Sequence, residues 1–105
     1  MAKAELQGTW VKVSEKNISA PKTITLAEDS TYTWGEEKGR WATLPPHIWL
    51  LAEETSSGTK WKYTLDGSKL ILTEPEDFKY LGKGKYIYFQ LTNPKAEVKF
   101  MRRGK

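Results

Sequence analysis

The chain has 105 residues, a formal charge of +4 and no cysteine. That length fits one domain spanning residues 1–105. The missing cysteines exclude disulfides and thiolate metal sites; the charge could help bind an anionic partner but is also an ordinary solubility charge for a small domain.

Leu, Ile, Val and Phe number only 21, but five tryptophans and five tyrosines accompany them. Such rings bury large areas and are scarce in disordered chains, so a folded domain with an aromatic-rich core is expected. Met1-Ala2-Lys3-Ala4-Glu5 is not followed by the apolar run of a signal peptide. The longest apolar run, Ile48-Trp49-Leu50-Leu51-Ala52, is too short to span a membrane. A soluble protein of undetermined compartment is the expectation; an export signal removed earlier leaves no trace.

In chain order, short runs of period-2 alternation are separated by turn residues. Gly8 to Ser14 is the first, Lys22 to Leu26 the second. Glu28-Asp29-Ser30 turns the chain into Thr31 to Gly35, with Tyr32 and Trp34 on one face. Glu36-Glu37-Lys38-Gly39 reads as a turn before Arg40 to Leu44. Pro45-Pro46 stops that strand, and Ile48 to Glu53 follows. Lys60 to Leu65 places Trp61, Tyr63 and Leu65 opposite Lys60, Lys62 and Thr64. Asp66-Gly67 is a hairpin signal, with Lys69 to Thr73 returning from it. Thr73-Glu74-Pro75-Glu76 has the form of a capping box with proline in the first turn, which predicts one helical turn over 74–80. Gly82-Lys83-Gly84 ends it. Tyr86 to Thr92 alternates Ile87, Phe89 and Leu91 against Tyr86, Tyr88 and Gln90, and Glu97 to Arg103 is the last strand. No stretch suits a helical crossover. The fold class expected is all-β: a small antiparallel up-and-down β-barrel of about 8–9 short strands, closed so that edges are removed.

Leu6-Gln7-Gly8-Thr9-Trp10 resembles the Gly-x-Trp motif of lipocalins and related calycins. Asp29-Ser30-Thr31-Tyr32-Thr33-Trp34 is similar to the D-G-T-Y hairpin of small bacterial lipocalin-like domains, with Ser30 where glycine is common. Gly39-Arg40-Trp41, Ile48-Trp49-Leu50 and Tyr63-Thr64-Leu65-Asp66-Gly67-Ser68-Lys69-Leu70 resemble the hairpins that follow. The resemblance covers Leu6 to about Leu72 in order. The chain is shorter than a full lipocalin and lacks its C-terminal helix. The resemblance implies a lipocalin-like barrel, non-enzymatic, binding a small apolar or aromatic molecule or having lost its ligand. It also implies structural roles for Gly8, Trp10 and an arginine, Arg102 or Arg103, packed across Trp10 where the barrel is closed.

Tyr32, Trp34, Trp41, Trp61 and Tyr63 fall on the expected inner faces. They are either lining for a ligand or the filling of a narrow barrel. Neither a cofactor nor a metal is implied. His47, the only histidine, reads as a solvated turn residue without the further ligands zinc needs or the partners of a catalytic triad. The acidic pairs read as solvated loops, and Gly82-Lys83-Gly84-Lys85 as a basic turn without phosphate-loop spacing. A second reading is a structural or protein-interaction domain, which exposed Trp49 and Leu51 would favour because alternation places them opposite Ile48 and Leu50. A third is a basic OB-like or SH3-like barrel binding nucleic acid. It is disfavoured because Lys60 and Trp61 point to opposite faces.

Overall fold

The computed structural model of the chain describes residues 4–91 and 94–103. One turn of 3-10 helix, Ala4–Leu6, leads into nine strands: β1 (Gly8–Lys16), β2 (Thr23–Leu26), β3 (Thr31–Trp34), β4 (Glu37–Leu44), β5 (His47–Ala52), β6 (Ser57–Asp66), β7 (Lys69–Gly82), β8 (Lys85–Leu91) and β9 (Glu97–Arg102). Each strand from β1 to β7 pairs antiparallel with the next, and β9 returns between β1 and β7. The circuit β1-β2-β3-β4-β5-β6-β7-β9 therefore closes on itself as an eight-stranded barrel. β8 stands outside the circuit and pairs with β7. Among the described residues, no helix is long and apolar enough to cross a membrane.

Alternation explains which side chains fill the barrel. Ile24 and Leu26, Ile48 and Leu50, Leu70 and Leu72, and Val98 and Phe100 are all buried at period 2. Tyr32, Trp41 and Trp61 complete the filling at no more than 3 % exposure, as expected of eight strands around a narrow interior. Trp34 and Tyr63 are half-buried against this core. Trp10 donates its indole N–H to the Leu6 carbonyl at 2.9 Å, and Trp41 donates to the Ala27 carbonyl at 3.0 Å. Both rings are thus buried without an orphaned donor.

The end of the barrel nearest Leu6 is capped. Trp10 on β1 lies opposite Arg102 on β9, and the guanidinium carbon sits 4.3 Å from the centre of the Trp10 ring. The same guanidinium donates to the carbonyls of Gln7 and Glu5 at 2.6 and 2.5 Å. Gly8, at φ 133°, makes room: a Cβ there would lie 2.9 Å from Arg102 Nη1. The 3-10 turn is therefore tied down as a plug, with Leu6 fully buried beneath it.

Several boundaries differ from the sequence-based expectation: β1 runs on to Lys16 and β6 begins at Ser57 rather than Lys60, and three further differences bear on the site. β4 starts at Glu37 rather than Arg40, because Gly35 (φ 65°) supplies the left-handed residue and Trp34 pairs directly with Glu37. The turn after β6 is Gly67-Ser68 and Asp66 is still strand, with Gly67 (φ 61°) at the position that needs positive φ. His47 is the half-buried first residue of β5, not a solvated turn residue. Burial lowers its pKa, and the charge of Lys60 adds to that.

The predicted helical turn over 74–80 is overturned: β7 runs without interruption from Lys69 to Gly82. The extra residue that breaks the alternation is absorbed by a bulge. Lys60 pairs with Glu76 and Lys62 with Thr73, and Glu74 takes φ 52°. Pro75 sits in the bulge, where the ladder asks least of its missing N–H, and its ring is buried. The side chains of Tyr88, Phe89, Gln90 and Leu91, and Thr92 altogether, lie outside the described residues.

Candidate functional site

The open end of the barrel holds a cavity of about 360 Å³, within the size range of small-molecule sites. Its apolar lining includes Trp34, Trp61, Leu50, Pro75 and Ile18, and its polar lining Ser19, Thr59, Glu37 and Asp77. Trp34 reaches from β3 across the interior to stack on Trp61 of β6, with ring centroids 5.7 Å apart and planes at 29°. The edge of Phe100 supports Trp34 from β9 at 6.1 Å.

Glu37 enters this cavity because the shifted start of β4 puts it on the inward face with Gly39 and Trp41. Its carboxylate accepts a hydrogen bond of 2.5 Å from the Tyr32 hydroxyl. The Tyr32 ring crosses Gly39, where a Cβ would meet it at 2.9 Å. Burial, and then the bond to Glu37, raise the Tyr32 pKa far above the usual phenol range. Asp77, inward on β7, accepts from the Thr59 hydroxyl at 3.4 Å. The mouth is thus an aromatic floor with carboxylates on its wall.

The five aromatic residues singled out in the sequence divide into two groups. Trp34 and Trp61 line the cavity. Tyr32 and Trp41 are packed in the core, Tyr32 touching the site through Glu37, and Tyr63 is half-buried toward the capped end. Glu37 and Asp77 escaped the sequence reading, which placed Glu37 in a turn and Asp77 in a helical turn. The signal that identifies Asp77 is its period-2 relation to Pro75.

On the outer face, Trp49 and Leu51 point away from the core, as the alternation in β5 requires. A second cleft, of about 640 Å³, lies there. Its walls are Trp49, Leu51, Phe78 and Tyr86, with Arg40, Ala42 and Leu44 from β4. Phe78 is 1 % exposed yet separate from the barrel core. Its ring meets Trp49 edge-on at 5.1 Å and Tyr86 at 5.6 Å. Sequence reasoning did not find Phe78 and Tyr86, since their face is defined only once β7 continues as a strand beyond the bulge.

No family model, no curated protein and no solved structure matches this chain.

Proposed function

We propose that this chain is a lipocalin-like binding barrel that works without catalysis and takes a small, flat aromatic molecule with a cationic or hydrogen-bond-donating edge at its open end. The observation that carries this reading is the stacked Trp34–Trp61 pair flooring a cavity that Glu37 and Asp77 also line. Indole faces attract flat rings and cations, and carboxylates near an apolar floor favour a cation over an anion.

The test uses the indole N–H signals of the five tryptophans in 15N-labelled protein. Tryptamine is expected to shift the Trp34 and Trp61 signals saturably, while indole-3-acetate at the same concentration leaves them in place. Trp34→Leu should abolish the response. Silence of both signals toward tryptamine, or a response that survives Trp34→Leu, would overturn the reading.

A further inference from the structure

The outer cleft lies back to back with the mouth across the β5–β7 wall. Leu50 and Asp77 line the mouth, whereas their neighbours Leu51 and Phe78 line the cleft. Gly58 makes this possible. It lies between Leu51 and Phe78 in register, and a Cβ on it would fall 2.5 Å from the Phe78 ring and 2.2 Å from the Leu50 carbonyl oxygen. Without a side chain on β6 at that point, Phe78 lies over the strand and reaches Trp49 on β5. Tyr86, opposite Tyr80 on β8, closes the far wall at 5.5 Å from Trp49.

The charged side chain that lines the cleft is Arg40. Arg40 stands opposite Leu51, and Ala42 opposite Trp49, so the Arg40 side chain shares the cleft's face. The Arg40 side chain makes no hydrogen bond or ion pair among the described residues, though, beside the larger effect of the Thr31 hydrogen bonds, its charge acts on Asp29 and helps to lower that carboxyl's pKa. The nearby Asp29 carboxylate is engaged by the hydroxyl and backbone N–H of Thr31, at 2.6 and 3.0 Å. Lys60 lies over the Trp49 ring, 5.4 Å from its centre, and 3.7 Å from Glu76.

We propose that this cleft is a second binding site, for a small planar apolar carboxylate: the rings of Trp49, Phe78 and Tyr86 hold its apolar body, and the Arg40 guanidinium its carboxylate. The cleft is large enough for a ligand of two or three fused rings, within the ~300–1,000 Å³ typical of such sites. A planar guanidinium at the rim of an aromatic wall matches a carboxylate in geometry as well as charge.

The experiment is a titration with 1-naphthoate and its neutral analogue 1-naphthamide, read on the same five indole N–H signals. The naphthoate is expected to shift the Trp49 signal and leave the Trp34 signal alone. Naphthamide should bind at least about tenfold more weakly, and Arg40→Gln should bring naphthoate down to the naphthamide level, about the loss of one charge-assisted contact. Phe78→Leu, which keeps an apolar side chain there, should weaken both probes together. Equal binding of the two probes, an unchanged affinity in Arg40→Gln, or a shift at Trp34 instead of Trp49 would overturn the proposal. So would a Trp49 signal that moves with protein concentration alone, which would mean that a second copy covers the cleft. Because tryptamine reports at Trp34 and naphthoate at Trp49, failure of this site and failure of the mouth are read separately.

Discussion

Arg102 ties the two ends of the chain together with three contacts, and replacing its guanidinium removes them together. Its position over Trp10 contributes about 0.5–2 kcal/mol, and its charge-assisted bonds to the Gln7 and Glu5 carbonyls about 1.5–3 kcal/mol each before non-additivity. Arg102→Met is therefore expected to lower stability by about 2–4 kcal/mol, seen as a lower urea midpoint at unchanged slope. Gly8→Ala should cost about 1–3 kcal/mol through its φ of 133° and the approach to Nη1. The double variant should lose less than the sum, because without the guanidinium the new methyl has nothing to strike; strict additivity would show that the close approach is harmless. Tyr32 carries a pH signature. Its folded pKa is raised, so below the unfolded value near 10 its contribution is fully present. As pH climbs above that value the unfolded chain releases the proton while the folded chain keeps it, and stability falls by up to ~1.4 kcal/mol per pH unit. Tyr32→Phe should flatten the alkaline limb of a urea-stability profile between about pH 10 and 11.5. Parallel limbs in the two proteins would refute the protection. At this scale the sequence was a good guide: Gly8-Thr9-Trp10 pointed to the capped end. It left open which arginine completes that end, and the register of β9 selects Arg102.

At the scale of elements, β7 serves two structures. Its first half, Lys69–Thr73, is a barrel stave between β6 and β9. Its second half, from Glu76, keeps β6 as one neighbour but exchanges β9 for β8. The β7–β8 hairpin thus extends the β6 ladder, and its rings Phe78, Tyr80 and Tyr86 pack on one another outside the barrel core. Phe78→Ala should cost about 3–5 kcal/mol locally, and the loss should be confined. Amide exchange at Lys79, Tyr80 and Lys85 is expected to accelerate, while Ile71 and Leu72 keep their protection. Equal acceleration throughout would mean that hairpin and barrel unfold as one unit. The misread helix shows why this element was hard to see. Thr73-Glu74-Pro75-Glu76 satisfies the local chemistry of a helix start, and local chemistry was all that could be weighed there. What decides the matter is non-local. Pro75 covers the barrel interior, Phe78 needs the empty space over Gly58, and a bulge in β7 at Glu74-Pro75, opposite Trp61 of β6, accommodates the extra residue. The strands with clean alternation, such as Trp61-Lys62-Tyr63-Thr64-Leu65, were legible because both of their faces are set within the strand itself.

At the scale of the whole molecule, closure was legible and charge distribution was not. Many short strands without a crossover leave few ways to hide their edges, and a barrel is one of them. A formal charge of +4, by contrast, says nothing about which face carries which sign. The protein measures 39 × 31 × 25 Å, several times the screening length of about 10 Å at 0.1 M salt. A bound ligand therefore feels the charges lining its own site rather than the net charge. The mouth is lined by Glu37 and Asp77 and the cleft by Arg40, so the two sites should respond to salt in the same direction with ligands of opposite sign. Raising sodium chloride from 20 to 500 mM, concentrations chosen to span roughly 20 to 4 Å of screening length, is expected to weaken tryptamine at Trp34 and 1-naphthoate at Trp49 alike, each by a few-fold. If net charge governed binding, only the anion would weaken and the cation would bind more tightly as its repulsion was screened. Calorimetric titration of each ligand at the two salt concentrations separates the cases. Tighter tryptamine binding at high salt would mean that the mouth carboxylates do not define that site.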